Sequence, residues 1–154
     1  MPWFYTAVKF LHIFFAIVAV GFNATYALWI VRGQRDPSHL DFALRGVKLL
    51  DDYFANPAYL LLLVSGVAMV LIAGYSLFST FWLLAALILW VVLVAIGGGL
   101  YTPTLSRQIR VLATSGAKSE EFQRLSSRGQ ILGIVLGVIV LVILALMVFK
   151  PTFL

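Results

Sequence analysis

Three stretches of the chain are almost continuously apolar, and the polar residues gather between them. No charged residue lies between Asp52 and Arg107, and the runs Phe10–Val31 and Ile131–Phe149 flank that stretch. A turn signal, Gly74-Tyr75-Ser76, divides the central stretch in two. The pattern therefore contains four segments of the roughly 20 apolar residues that about 30 Å of hydrocarbon demands. It predicts an all-α fold: a four-transmembrane-helix antiparallel bundle with short amphipathic cytoplasmic helices. The chain reads as a single integral membrane domain, 1–154, with helices over 5–31, 57–74, 80–100 and 119–149.

Local signals set the boundaries. Arg32-Gly33 closes the first helix. Asp36-Pro37 reads as an N-cap with a first-turn proline, and Leu40, Ala43, Leu44 and Val47 then recur at helical spacing, as in an interfacial amphipathic helix. Asn56-Pro57 repeats the start signal and opens the second helix. The short turn at 74–76 makes helices two and three antiparallel neighbours. Gly97-Gly98-Gly99 weakens the end of helix three, Thr102-Pro103 starts a polar-faced extension over 105–113, and Ser119-Glu120-Glu121 caps the final helix, which ends at Lys150-Pro151. The first run is too long for a signal-peptide core and lacks a basic leader, so it reads as a retained helix.

Composition narrows the class. With 62% hydrophobic residues in 154, the chain lacks the polar surface a soluble domain needs. It has no cysteine, which removes disulfides, thiolate metal sites and thiol catalysis. The net charge of +5 is no sign of nucleic-acid binding, because the basic residues sit beside apolar runs, where they meet lipid headgroups. Nine of the eleven, Arg32, Arg35, Arg45, Lys48, Arg107, Arg110, Lys118, Arg124 and Arg128, fall in the loops after helices one and three. Lys9 and Lys150 lie at the other side. The positive-inside bias places both long loops in the cytoplasm and both termini outside the inner membrane. Trp3, Tyr5, Tyr75, Trp82 and Phe149 then mark the outer interface, and Trp29, Tyr53 and Tyr101 the inner one.

Candidate chemistry is sparse. His12 lies about one turn inside the outer edge, and an ionisable group in lipid faces the bundle interior by default. Ala16, Ala19, Asn23 and Ile30 fall within about 40° of it around the helix. It reads either as a ligand or proton carrier, or as a histidine bonded to a neighbouring helix. Met69 and Met147 come at roughly its depth, counted at about 1.5 Å per residue. One His with Met suits haem iron, and His with thioethers suits Cu(I), while methionines also fill gaps in helical cores. Lys9 and Lys150 stand where haem propionates would need cations. His39 belongs to the cytoplasmic loop, far from His12. Gly129, Gly133 and Gly137 form a small-residue face for close helix approach, within the chain or between copies. Asn23 and Ser65 read as polar groups that join helices, Asn23 standing also among the cofactor-binding candidates, and Asp51-Asp52 read as solvated caps. With no carboxylate at mid-membrane, an ion-coupled relay lacks its usual parts.

Lys9-Phe10-Leu11-His12-Ile13 with Gly21, Pro57 with Leu62 and Ser65-Gly66, and Met147-Val148-Phe149-Lys150-Pro151 together resemble a bacterial family of four-helix membrane proteins. That family is known as domain of unknown function twenty-two sixty-nine. It is allied to the copper-resistance D-type and protoporphyrinogen-oxidase J-type membrane proteins, and the likeness spans nearly the whole chain. The resemblance implies a first-helix histidine available for haem, and His12 is the matching residue. The J-type relatives also use a third-helix lysine, and 80–100 contains none. The expectation is thus a multi-pass inner-membrane protein binding b-type haem through His12, with a redox or haem-related role and self-association into a homo-oligomer. A small transporter or copper-handling permease, and an assembly subunit without cofactor, are the alternatives.

Overall fold

A computed structural model describes residues 2–151. The elements in chain order are α1 (Pro2–Arg35), a short 3-10 turn (Pro37–His39), α2 (Leu40–Leu50) and a π-turn (Asp51–Ala55). They continue with α3 (Asn56–Ala73), α4 (Phe81–Ile96), a second π-turn (Gly97–Tyr101), α5 (Thr102–Ser115) and α6 (Glu120–Phe149). The described residues include four helices long and apolar enough to cross a membrane.

Two boundaries differ from the sequence reading for one physical reason. Neither Asn56-Pro57 nor Thr102-Pro103 begins a separate helix; each proline lies inside a helix that continues through a π-turn. A proline ring in a regular helix collides with the carbonyl four residues back. Here the backbone switches to five-residue bonds just before it, Asn56 N–H to the Asp51 carbonyl and Thr102 N–H to the Gly97 carbonyl. The wider turn accommodates the ring, and the triple glycine is part of a continuous helix. Gly33 is likewise no terminator. It lies buried within α1, which runs two residues further, and a Cβ there would stand 2.8 Å from the Ala43 Cβ. Its missing side chain lets α2 pack closely on α1.

Other ends follow their sequence signals. Gly74 adopts φ 69°, and Tyr75 N–H returns to the Val70 carbonyl at 3.2 Å, the bond that closes a glycine-terminated helix. Ser119 caps α6 by accepting from Phe122 N–H. Asp36 accepts from the amide and hydroxyl of Ser38 and from His39 Nδ1.

The molecule has two differently packed halves. α1 lies along α3, and α4 along α6. At 34 residues α1 is roughly 51 Å long, well beyond a bilayer core, so its last turns project out of it. There α2 and α5 pack together, α2 on α1 and α5 on α6, and Leu40, Leu44, Val47, Leu105, Ile109, Phe122 and Leu125 form a buried core. Gln34 Nε2 ties α1 to α6 there by donating to buried Ser126 at 2.8 Å. This is the basic end of the molecule. Toward the opposite, hairpin end the helices turn Phe10, Ile17, Leu71 and Val148 outward, as lipid-facing surfaces do. Among the expected interface aromatics, Trp3, Trp29, Tyr53, Tyr75 and Phe149 are exposed, whereas Trp82 and Tyr101 are buried. Tyr101 belongs to the core because the π-turn directs it against α6, where its ring lies 4.0 Å from a Cβ position at Gly133.

Candidate functional site around His12

His12 lies three turns from the start of α1, on the stripe that faces α3. Its Nδ1 is 2.9 Å from the Ser65 hydroxyl. Ser65 is buried and gives its single proton to the Leu61 carbonyl at 2.6 Å, with the Leu62 carbonyl at 3.2 Å. With that proton so engaged the oxygen can accept from Nδ1, the tautomer in which Nε2 keeps a bare lone pair. Gly66 makes room for the ring: a Cβ there would lie 3.2 Å from Cε1 and 3.7 Å from Nδ1 of His12. The ring is half-buried, so part of it remains reachable from outside the chain.

The other sequence candidates divide by place. Met69 follows Ser65 by four residues, hence on the same face of α3 and one turn nearer the hairpin end. Met147 is half-buried near the end of α6, and Lys150 beyond it holds its ammonium 5.4 Å from the Trp82 ring centroid. Lys9 is exposed one turn before His12. Asn23 is not brought to this layer. It lies eleven residues along α1, roughly 16 Å away. Its amide donates to the Ala19 carbonyl at 3.0 Å and to the Tyr59 hydroxyl at 2.9 Å. His39 is exposed in the 3-10 turn at the other end, bonded to Asp36. Among the glycines, a Cβ at Gly129 would lie 3.8 Å from the Gln108 side chain and one at Gly133 4.0 Å from the Tyr101 ring, both within the chain, while one at Gly137 would meet nothing within 4 Å.

One sequence reading is overturned. Asp51 is no solvated cap: it is 5% exposed and accepts from Thr102 Oγ1 at 2.8 Å and from Asn56 Nδ2 at 3.3 Å. Only Asp52 of the pair is exposed, and it bonds Lys48. Ser65, read from sequence as helix glue, is the direct partner of His12. A serine-glycine pair on a facing helix is the one signal that could have suggested it.

Four long apolar helices, with His12, Asn23 and Ser65 hydrogen-bonded among them, define a multi-pass integral membrane protein. The chain belongs to the family described as "Predicted integral membrane protein (DUF2269)", which it matches over residues 6–151. No curated protein and no solved structure matches it.

Proposed function

We propose that this protein binds b-type haem in the bacterial inner membrane, with His12 as an axial ligand to the iron through Nε2. The observation that supports this most is the Ser65 contact. Ligating histidines characteristically donate their second ring N–H to a fixed acceptor, which sets the tautomer and the ring orientation. Ser65 meets that requirement on the neighbouring helix. The space at Gly66, which a Cβ would fill, fits a ring that must sit in one orientation.

Met69 and Met147 would be the further ligands to the iron, and Lys9 and Lys150 would pair with the haem carboxylates. Asn23 has no part in this set, since Ala19 and Tyr59 engage its amide. Bound haem would supply a one-electron couple, and with it a redox or haem-handling role. What the chain itself contributes is a ligand of fixed tautomer between two helices that exclude water. The basic loops support an orientation with both termini outside, in which His12 lies in the outer half of the membrane. Self-association belongs to the same proposal, since the open surface at Gly137 allows a second copy to approach α6 closely.

The test is an absorption spectrum of detergent-purified protein from haem-replete cells. A Soret band that His12→Ala abolishes and Ser65→Ala weakens or shifts is the expected result. A colourless wild-type protein that also gives no Soret shift when titrated with haemin would overturn the reading. Equal haem content in wild type and His12→Ala would do the same.

A further inference from the structure

Of the six acidic residues in the chain, five are exposed and one, Asp51, is buried. Its two hydrogen-bond donors occupy equivalent places. Asn56 precedes Pro57 and Thr102 precedes Pro103, and each closes a π-turn of five residues. One carboxylate oxygen, Oδ2, therefore ties together both points where a helix changes pitch to admit a proline. π-turns inside long helices are frequent at functional sites.

Both donors are neutral. The charged groups acting on Asp51 are Asp52 beside it and Lys48 on α2, and the Lys48 ammonium is engaged by Asp52. The ion pairs of the described residues do not include Asp51. Tyr26 on α1, Tyr59 on α3 and Tyr101 on the second π-turn lie close enough to feel the Asp51 charge. The Tyr26 hydroxyl is the unpartnered one: the residue is 4% exposed and its oxygen has no hydrogen-bond partner. A buried ionised carboxylate held only by neutral donors is costly, and so is a buried hydroxyl with no partner. A proton on Asp51 Oδ1 relieves the first cost while Thr102 and Asn56 go on donating to Oδ2. A divalent metal would ask for more carboxylates than this one.

We propose that Asp51 is a proton-exchange site at the basic end of the bundle, held neutral at rest while Thr102 and Asn56 donate to its Oδ2. In the exchange step Asp51 carboxylate and hydronium give the carboxylic acid and water, with no change of oxidation state. Ionisation makes the Thr102 and Asn56 bonds charge-assisted and so tightens the link between the two helix pairs; protonation relaxes it. Proton occupancy is thereby coupled to how α3 and α5 are held together.

The test uses the full chain in lipid vesicles, with carbon-13 on its four aspartates and infrared difference spectra recorded against pH. At neutral pH, where exposed aspartates are carboxylates, one carboxylic-acid carbonyl band should be present and should shift in deuterium oxide. Asp51→Asn should remove the band, and Thr102→Val should move it. An all-carboxylate wild-type spectrum at neutral pH would overturn the proposal, as would a band that survives in Asp51→Asn. Should Asp51→Asn fail to fold, the wild-type spectrum and the Thr102→Val shift decide the matter. An unmoved band in Thr102→Val refutes the assignment.

Discussion

Gly33→Ala is a demanding test of the packing, because helix propensity and tertiary contact pull in opposite directions. Propensity alone favours alanine in a helix interior by about 1 kcal/mol. The structure opposes it: the new Cβ would stand 2.8 Å from the Ala43 Cβ, 3.2 Å from the Leu40 Cα and 3.3 Å from its Cδ1. Carbon atoms pack best at about 3.5–4.0 Å, and neither the Ala43 Cβ nor the Leu40 Cα can rotate away. Relief requires α1 and α2 to separate by about 1 Å through a core that includes Leu40, Leu44 and Val47. Overpacking of this kind costs about 1–3 kcal/mol, which outweighs the propensity gain. A net loss of about 1 kcal/mol lowers the midpoint by about 2–4 °C in a chain of this size. The assay is thermal unfolding in detergent, followed by circular dichroism, with Gly46→Ala as control. Gly46 is also in a helix interior, yet a Cβ there meets nothing within 4 Å, so alanine should leave stability unchanged or raise it. A Gly33→Ala protein at least as stable as wild type would refute the close approach of α1 and α2.

Three further perturbations have defined outcomes. Hydrogen bonds from Ser38 and then His39 hold the Asp36 carboxyl below its usual range. Its contribution to the 3-10 turn is therefore present above the unfolded carboxyl pKa and lost as pH falls through the depressed folded value; amide exchange at Ser38 should speed up there, and at all pH values in Asp36→Ala. Lys150 ends α6 at φ 46°, a strained conformation for a non-glycine residue, with its ammonium over Trp82. Lys150→Gln keeps the strain and loses about 0.5–1 kcal/mol of cation–π attraction, whereas Lys150→Gly also sheds about 1 kcal/mol of strain, so the glycine variant should melt higher than the glutamine one. Ser126→Ala removes the Gln34 bond between α1 and α6 and should cost about 1 kcal/mol in a chemical-denaturation series.

The four spans were legible because lipid imposes a length and a polarity on any segment that crosses it. The α2 stripe of Leu40, Ala43, Leu44 and Val47 was legible too, since one face of that helix is wet and the other buried. Helix pairing was not. α3 and α4 are apolar all round, so periodicity gives no inward direction, and nothing local joins His12 to Ser65 across 53 positions. The π-turns escaped because Asn-Pro and Thr-Pro look the same whether a helix starts there or widens to admit the ring. Asp51 was misread for the same reason. Beside exposed Asp52 it resembles a cap, and only the folded pairing of the two π-turns shows that Thr102 covers it. Tyr101 has the composition of an interface residue, and its burial follows from the glycine at 133, a tertiary fact.

The site depends on which nitrogen of His12 carries the proton. Nitrogen-15 spectra of ring-labelled protein without haem answer this directly, with exposed His39, the other of the two histidines, as internal reference. At a pH where the ring is neutral, a proton on Nδ1 and a bare Nε2, with the Nδ1 signal shifting in Ser65→Ala, is the expected result. A proton on Nε2, with Nδ1 accepting from Ser65, would contradict the assignment and leave the ring without a free ligand.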